Sequence, residues 1–415
     1  MEMKKYKLGE IAEINSQSLK KTDKNDEILY LDTANITRNK IENLQKFDLK
    51  NAPSRAQRKV KNNTIIFSTV RPNQNHFGII KNPVSNLIVS SGFATIDIKN
   101  KNEINADYLY YKLTQPFIVN YLQTIAENSV SAYPSINPSD LENLTFSLPP
   151  LPTQQKIAAV LSSLDKKIAL NSRINARLEQ MAKRLYEHYF VQFDFPTADG
   201  KPYKTSGGKM VYSSELKREI PDGWEVKRLG ELGNLKNGIN YEKSEIGDKI
   251  YKIVNVRNIS ASTIFISESD LDELNLKSKN ADNYLISKND ILIARSGTPG
   301  ATRLLARKSE NIIFCGFIIC FSVKDAELKY YLFFCLKQLE FVTKKQSGGS
   351  ILSNISQDVL KNLRVIIPSK EVLEDFNQKT LSIFNYQLSI QEESARLTSL
   401  RDRLLPLLMN GQVSV

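Results

Sequence analysis

The chain contains two copies of one pattern, and this repeat constrains its fold more than any other feature. The opening "YKLGEIAEI" (residues 6–14) returns as "VKRLGELGNL" (residues 226–235). Five further pairs follow in the same order: "YLDTANI" with "KIVNVRNI", "KNNTIIFSTV" with "SKNDILIARS", "SSGFATIDI" with "FCGFIICFSV", "DYLYYKL" with "KYYLFFCL", and "INPSDLENLTFSLPP" with "ISQDVLKNLRVIIPS". Six matches in one order indicate a tandem duplication. A chain of 415 residues is long enough for each copy to bury its own core.

Each copy has the residue pattern of a mixed α/β domain followed by a long helix. Short β-rich runs such as "TIIFSTV" and "DILIARS" alternate with turn-rich loops and short helical stretches. We therefore predict an α+β protein with two mixed α/β domains in tandem. The predicted boundaries are 1–150 for the first domain, 151–193 for a central helix, 194–368 for a linker and the second domain, and 369–415 for a C-terminal helix.

The two helical stretches carry apolar residues at the 3–4 spacing of coiled-coil partners. The predicted seam consists of Ile157, Leu161, Leu164, Ile168, Leu178 and Leu185 in the first helix and Ile383, Ile390, Leu397 and Leu404 in the second. About 38 residues from Thr153 to Phe190 would span about 57 Å, more than a small domain is wide. The alternative is an amphipathic helix that packs on its own domain.

Three polar residues interrupt this seam, namely Asn171, Asn175 and Glu393. As seam residues they would set the register of the two helices. If the apolar stripe instead drifts toward Ile174 and Met181, the same polar residues lie on the surface.

The net charge of +12 favours a polyanionic partner, nucleic acid first of all. The alternative is that the charge is incidental, because AT-rich genomes favour lysine and this chain is rich in Lys, Asn and Ile.

The common catalytic motifs are absent from the sequence. The sequence has no phosphate-binding G-x-x-x-x-G-K-[ST] loop, no G-x-G-x-x-G after a strand, no H-E-x-x-H and no Asn-Pro-Pro-aromatic tetrapeptide, and its two histidines are His76 and His188. Cys315, Cys320 and Cys335 lie in apolar stretches and are expected to be buried thiols. Without a signal peptide or an apolar run of spanning length, the expectation is a cytoplasmic binding protein.

The candidate DNA contacts lie in loops at matching places of the two copies. In the first copy "APSRAQRKVKNN" is a predicted phosphate clamp and "TVRPNQNHFG" a predicted base reader, since arginine suits guanine and Asn or Gln suits adenine. In the second copy "ARSGTPGATR" follows the matching strand, and "NSVSAYPSIN" and "QSGGSILSNIS" form another equivalent pair. The candidates are Arg55, Arg58, Lys61, Arg71, Asn73, Gln74, His76 and Tyr133, then Arg295, Thr298, Thr302, Arg303 and Ser350. For each residue the alternative is a solvated loop, a cap or a turn.

Two such domains on a helical spacer predict a particular kind of target. Each domain would contact a short sequence, and the spacer would set the number of unread base pairs between them. Because the copies differ in their loops, the target should be asymmetric and interrupted.

The segment "LPPLPTQQKIAAVLSSLDKKIALNSRINARLEQMAKRLYEHYFVQFDFP", with "GKMVYSSELKREIPDGWEVKRLGEL" after it, resembles the central region of DNA-specificity subunits of type I restriction-modification systems. The final "LTSLRDRLLPLLMNGQVSV" is similar to the C-terminus of that family. The second helix departs from the pattern, with "PSKEVLEDF" in place of "PTQQ".

The resemblance implies two target-recognition domains in a pseudo-twofold repeat, with long helices packed as an antiparallel coiled coil. It also implies two methyltransferase subunits as partners, to which restriction subunits can be added. S-adenosylmethionine, Mg²⁺ and ATP would be bound by those partners, and this chain would hold no cofactor, metal or catalytic residue. Two other hypotheses stay open: a coiled-coil scaffold for proteins alone, and a self-sufficient methyltransferase, which the missing motifs disfavour.

Overall fold

The computed structural model describes residues 3–20, 23, 26–129, 133–242, 247–306, 310–346 and 354–413. Contacts divide the chain into two units, Met1–Leu170 with Ser394–Val415, and Asn171–Glu393. Each unit contains one copy of the repeat together with a part of each long helix. We call residues 4–148 the first domain and residues 225–367 the second domain.

The first domain begins and ends with strands that pair with each other. Its strands are β1 (Lys4–Lys7), β2 (Ala12–Ile14), β3 (Glu27–Leu31), β4 (Ile36–Thr37), β5 (Lys40–Ile41), β6 (Gln45–Asp48), β7 (Ala56–Lys59), β8 (Ile65–Ser68), β9 (Phe77–Ile79), β10 (Leu87–Ser90), β11 (Phe93–Ile98) and β12 (Thr145–Leu148). Its helices are α1 (Leu8–Ile11), α2 (Ala106–Leu113), α3 (Pro116–Glu127) and α4 (Pro138–Glu142). Two four-stranded sheets, β6-β3-β10-β7 and β2-β11-β8-β9, form its body, and β1 pairs antiparallel with β12.

The first long helix, α5 (Leu151–Tyr186), starts directly after this domain and ends in a π-helical turn, Glu187–Val191. Gln154 of the "PTQQ" stretch ties its start to the first domain. The Gln154 Nε2 donates to the carbonyls of Glu103 at 3.0 Å and Pro149 at 2.9 Å, and its Oε1 accepts from the Asn105 amide at 2.9 Å. Because the Gln154 side chain is buried, its polar atoms need these partners, and the three hydrogen bonds hold the helix start in one position.

The second unit adds an aromatic-rich linker before the second domain. The strands of this unit are β13 (Met210–Ser213), β14 (Arg218–Pro221), β15 (Glu225–Arg228), β16 (Gly233–Asn237), β17 (Lys249–Val254), β18 (Phe265–Ile266), β19 (Asp272–Leu276), β20 (Asp290–Ala294), β21 (Thr302–Leu305), β22 (Ile312–Phe314), β23 (Ile318–Val323) and β24 (Arg364–Ile367). Its helices are α6 (Leu229–Leu232), α7 (Val256–Ala261), α8 (Ser278–Ala281), α9 (Lys329–Gln346) and α10 (Gln357–Lys361), followed by the second long helix, α11 (Lys370–Met409). In the linker, Phe193, Phe195 and Trp224 are buried and pack on one another.

The strand order reproduces the duplication read from the sequence. The sheets β16-β23-β20-β21-β18 and β19-β17-β22 correspond to β2-β11-β8-β9 and β6-β3-β10-β7, and β15 pairs with β24 as β1 pairs with β12. The parallel pair β3–β10 has its counterpart in β17–β22. The α+β fold with two copies of one domain is therefore as predicted.

The apolar runs form strands that are buried on both faces. In β8, Ile65 and Phe67 pack with the helices of the first domain, whereas Ile66 packs with the other sheet. In β20, Ile291 and Leu292 likewise face two different cores. This is why these strands read as continuous apolar runs rather than as alternating ones.

The long helices run antiparallel, which the pairs inside the second unit show. Asn171 on α5 faces Glu393 on α11, whereas Tyr189, in the π-helical turn that follows α5, bonds to Asp375, which comes earlier on α11. Among the seam residues, Ile157, Leu161, Ile383 and Ile390 are buried, and Leu164, Ile168, Leu178, Leu185, Leu397 and Leu404 are partly buried.

Polar groups occupy the middle of this seam. The fully buried Asn171 donates from Nδ2 to Glu393 Oε2 at 2.8 Å, and Gln387 Nε2 donates to the Asn175 carbonyl at 3.3 Å. Met181, in contrast, is 58% exposed. The alternative in which the apolar stripe drifts and leaves Asn171 on the surface is therefore wrong.

The cysteines form no disulfide with one another, and burial raises the pKa of Cys335 to about 11. In the described ranges no helix is long and apolar enough to cross a membrane.

Candidate nucleic-acid interface

In the first domain, two of the loops proposed from the sequence come together. The Arg71 guanidinium lies 5.8 Å from the centroid of the Tyr133 ring. The backbones are joined as well, because the Arg71 amide donates to the Pro134 carbonyl and the Ile136 amide to the Thr69 carbonyl, both at 2.9 Å. Tyr133 is 63% exposed and Arg71 is exposed, so an arginine and an aromatic ring are presented side by side.

A third loop, which the sequence analysis missed, joins them. Strands β4 and β5 are connected by the two-residue turn of Arg38 and Asn39. The Arg38 amide donates to the Asn75 carbonyl at 2.9 Å, and Asn39 Oδ1 accepts from the Ile79 amide at 2.9 Å. Arg38 and Lys40 are exposed and add two positive charges to this surface. An Asn-containing turn beside basic residues, "TRNK", was the signal available in the sequence.

These loops hold an unusual backbone conformation. Arg38, Asn39, Arg71 and Asn75 all have positive φ, at 45°, 67°, 47° and 58°. The left-handed region is disfavoured for residues with a Cβ, and most of all for those other than Asn or Asp. Strain of this kind concentrates at functional sites, where the surrounding structure imposes it. At Arg38 and Asn39 the positive φ values are those of an ordinary two-residue hairpin turn, so the strain argument applies to Arg71 and Asn75, which flank the Pro72–Gln74 turn.

The remaining residues of the "TVRPNQNHFG" loop are used unequally. Asn73 and Gln74 are exposed and lie in a short 3₁₀ turn, Pro72–Gln74. The Asn73 amide donates to Gln123 Oε1 of α3 at 3.2 Å, which ties this turn to α3. His76 is partly buried, and its Nδ1 lies 2.6 Å from the Ile36 carbonyl. One ring nitrogen of His76 therefore serves the fold.

The predicted phosphate clamp is divided by the fold. Arg55 is exposed, and its carbonyl accepts a hydrogen bond from the Ser91 amide. The carbonyl of the next residue, Gly92, accepts from the Thr69 amide, so Arg55 lies near the end of β8 that leads to Arg71. Lys61 precedes the other end of β8 and lies 3.5 Å from Asp97.

Between these two ends, Arg58 is partly buried in β7, with its Nη1 3.1 Å from Ser18 Oγ. The prediction that Arg55, Arg58 and Lys61 form one cluster is wrong, because the extended strand β7 (Ala56–Lys59) separates Arg55 from Lys61.

In the second domain, Arg295 occupies the position that corresponds to Thr69. Its amide donates to the Phe317 carbonyl at 2.9 Å, and its carbonyl accepts from the Ile355 amide at 3.0 Å, as Thr69 bonds to Gly92 and Ile136. The Arg295 side chain is partly buried, and Nη1 approaches the Gly316 carbonyl at 3.4 Å. Thr298, in the same loop, lies 2.9 Å from Ser260 of α7, hydroxyl to hydroxyl.

Thr302 and Arg303 do not belong to this surface. Arg303 is 4% exposed and makes a bidentate contact with Glu340, with Nη1 to Oε2 at 2.9 Å and Nη2 to Oε1 at 3.3 Å. Its Nε donates to the Ser262 carbonyl at 2.7 Å. Thr302 is fully buried and donates to the Gly300 carbonyl. The prediction that Thr302 and Arg303 contact DNA is wrong, because their polar groups form hydrogen bonds inside the domain. Ser350 lies outside the described residues, whereas Asn354, four positions later in the sequence, is exposed.

Phe317 is a second residue that the sequence analysis missed. Strand pairing matches Ile318 with Ala294 and Phe93 with Ser68, so Phe317 stands where the first domain has Gly92. The sequence similarity had aligned it one position away, with Phe93, which is buried. Phe317 is instead 63% exposed, beside Arg295. In each domain an arginine thus lies beside an exposed ring on another loop, Arg71 with Tyr133 in the first domain and Arg295 with Phe317 in the second.

Comparison with known proteins gives a consistent result. A family model described as the type I restriction modification DNA specificity domain matches residues 1–180 and 221–395. The type I restriction enzyme HindI specificity subunit of Haemophilus influenzae is 27% identical to this chain over 470 residues, 99% of each chain. The MjaIX specificity subunit of Methanocaldococcus jannaschii is 30% identical over 360 residues, 84% of this chain and 78% of that one. A solved S subunit of a type I restriction-modification system from M. genitalium has the same fold, with a TM-score of 0.55, 15% identity and coverage of 98% of this chain and 96% of that one.

Proposed function

Because the chain belongs to the family of DNA specificity subunits of type I restriction-modification systems, we propose that its two domains read the two halves of one interrupted, asymmetric DNA site. The chain is the non-catalytic recognition subunit, so it selects the sequence on which its partners act. The first domain reads one half-site with the Arg38, Arg71 and Tyr133 surface. The second reads the other with the Arg295, Thr298 and Phe317 surface.

The observation that carries this proposal is the arginine with a neighbouring exposed ring at the corresponding edge of both domains. Arginine forms bidentate hydrogen bonds with guanine, and it also neutralises phosphate. The matching backbone contacts at Thr69 and Arg295 support the view that these edges do the same task in both copies. Their side chains differ, with Asn73 and Gln74 in one and Thr298 in the other, which supports two different half-sites.

We further propose two methyltransferase subunits as partners, one for each unit. In the first unit a groove lies between α2 and α3 of the domain and the long helices, and in the second unit a groove lies between α9 of the domain and α5. In the first unit Tyr111, Asp402 and Leu405 line one end of a groove of about 520 Å³, whose other end reaches Arg38 and Asn73 at the DNA-reading surface. In the second unit Phe334, Lys183 and Tyr186 line a groove of about 290 Å³. Counted from the first residue of each long helix, Asp402 corresponds to Lys183 and Leu405 to Tyr186. Two equivalent grooves support a partner present in two copies.

The cofactors and the restriction step belong to these partners in our proposal. The methyltransferase subunits would bind S-adenosylmethionine, and restriction subunits, where present, would use Mg²⁺ and ATP. The complex would work in the cytoplasm, where it meets chromosomal DNA.

The test is to express the chain with its methyltransferase subunits and to map methylated bases by long-read sequencing. We expect one bipartite motif with two different halves and a fixed unread interval. Methylation without a common motif, or a continuous motif, would contradict the proposal.

Salt dependence separates DNA recognition from a protein-only scaffold. Binding of the purified complex to duplex DNA should weaken steeply between low and moderate salt, since neutralised phosphates release counterions. A protein-only scaffold with incidental charge should show no such steep loss of binding between low and moderate salt.

A further inference from the structure

Phe317 is an apolar side chain placed at the tip of a turn. It is 63% exposed, whereas Cys315 and Ile318 on either side of the turn are buried. Single exposed apolar residues are common on protein surfaces and by themselves mean little. The exposure of Phe317 gains weight from its neighbour, because Arg295 is a candidate base reader of the second domain.

The turn that carries Phe317 is held rigidly. The Phe317 carbonyl accepts from the Arg295 amide at 2.9 Å, the Ile318 amide donates to the Cys315 carbonyl at 2.9 Å, and the Gly316 amide donates to the Ile239 carbonyl at 2.8 Å. The Arg295 guanidinium approaches the Gly316 carbonyl at 3.4 Å. A ring and a guanidinium are therefore presented together from a fixed backbone, which lowers the entropy lost on binding.

The first domain has glycine in this position. Gly92 makes the same backbone contact, since its carbonyl accepts from the Thr69 amide at 2.9 Å, but it offers no side chain. The turn does not need a phenylalanine for its own geometry. The ring is thus an addition specific to the second domain, as expected for a residue that determines what this domain reads.

We propose that Phe317 contacts the 5-methyl group of a thymine in the half-site read by the second domain, next to a guanine bound by Arg295. This inference rests on the proposed function and names the chemistry of one of its contacts. A phenylalanine cannot hydrogen-bond to a base edge. In the major groove the thymine methyl is the apolar group on offer, and contact between phenylalanine and this methyl is a known mode of readout.

The test removes the methyl group without altering the hydrogen bonds of the base. Each thymine of the second half-site is replaced singly by 2′-deoxyuridine, and the affinity of the specificity–methyltransferase complex is measured by competition. We expect a loss of about three- to tenfold at one position, the size expected for burial of one methyl group or a little more. Phe317→Ala should lose a similar factor on the thymine duplex and nothing further when that thymine becomes deoxyuridine.

Two variants control for the fold and for surface aromatics in general. Tyr212→Ala removes another exposed ring of the second unit, in β13, and should leave the affinity and the deoxyuridine response unchanged. Phe317→Leu keeps an apolar group at the tip and should retain most of the methyl response.

Each other outcome overturns the inference. If the Phe317→Ala and deoxyuridine losses multiply, or if no thymine responds, the ring does not contact a thymine methyl. If 2-aminopurine in the second half-site brightens with the wild-type complex and stays dim with Phe317→Ala, the ring is inserted between bases instead. A wild-type complex that fails to prefer its own methylated motif over scrambled DNA would contradict the proposed function itself, which is a separate result.

Discussion

Arg401 on the second long helix donates from Nη1 to Asp165 on the first at 2.9 Å, inside the first unit. The hydroxyl of Tyr111 from α2 donates to the other oxygen of the same carboxylate at 2.6 Å. Burial opposes the charge on Arg401, yet its hydrogen bonds to Asp165 and Asp402 raise the guanidinium pKa. One carboxylate thus links both long helices to the first domain.

At the positions equivalent to Asp165 and Arg401 the second unit has apolar side chains instead of an ion pair. Counted along the long helices, Asp165 corresponds to Phe384 and Arg401 to Ala182, and both are buried in the second unit. Arg401→Ala should lower the free energy of unfolding by about 2–3 kcal/mol, because the partly buried Asp165 side chain loses its ion-pair partner. Urea denaturation measures this change.

A matched variant separates lost charge pairing from lost packing. The triple change Tyr111→Phe, Asp165→Phe and Arg401→Ala copies the second unit and should recover most of that stability. If the triple variant is less stable than Arg401→Ala, the two units do not share an exchangeable packing arrangement.

Replacing Arg71 and Gln74 together by alanine should affect one half-site. Loss of a bidentate base contact costs about 1–3 kcal/mol, so discrimination in the first half-site should fall about five- to 150-fold. Competition with duplexes mutated in either half measures it. Arg71→Lys is the matched variant, since it keeps the charge but loses the planar group that lies over Tyr133. Equal loss in both half-sites would exclude a role for this loop in reading one half.

Arg303 and Arg295 should give opposite phenotypes although they lie close in sequence. Arg303→Ala leaves Glu340 buried without its bidentate partner and should lower the free energy of unfolding by about 3 kcal/mol or more. Arg295→Ala should keep the thermal midpoint within a few degrees and weaken binding to the second half-site. Thermal unfolding and competition binding of the two variants, side by side, check both statements. A stable Arg303→Ala that loses sequence preference would reinstate Arg303 as a reading residue.

The long helices should act as a spacer that can be lengthened. Seven residues inserted after Ala169 on α5, with seven more after Ala395 on α11, preserve the heptad pattern on both antiparallel partners. The insertion adds about 10 Å, roughly the length of three base pairs. The methylated motif should then keep both halves and gain about three unread base pairs.

Insertion into α5 alone is the control for that experiment. Because the inserted residues lie between Asp165 and Asn171, an unchanged α11 can keep only one of the pairs Asn171–Glu393 and Asp165–Arg401, so folding or methylation should be lost. An unchanged interval in the double insertion would mean that something other than the helices sets the spacing.

The features that could be predicted from the sequence are those that produce a regular spacing of similar residues along the chain. The repeat, the two long helices and the mid-seam Asn171 all follow from spacing that survives in one dimension. Strand β8 was recognised because a run of apolar residues is itself the signal of a strand buried on both faces.

The side-chain directions could not be predicted, because they depend on distant partners. Arg303 follows a glycine-rich loop, a place where the sequence alone suggests a surface residue. It is buried because Glu340, on α9, pairs with it in the folded domain. Phe317 and Phe93 share a "GF" dipeptide, and a one-residue difference in strand register exposes one and buries the other. The turn of Arg38 and Asn39 can be recognised locally from "TRNK". Its contact with the Arg71 loop cannot, because the two segments are distant in sequence and meet only in the folded domain.

The closing strand pairs have a consequence for how such genes change. In the first domain β1 and β12 run antiparallel from Lys4 opposite Leu148 to Lys7 opposite Thr145, and β15 and β24 close the second domain in the same way. The chain thus enters and leaves each domain through neighbouring strands, about 5 Å apart. A recombination event that replaces everything between those strands leaves the junction with the helices untouched. One crossover product could therefore acquire a new specificity while inheriting its assembly unchanged.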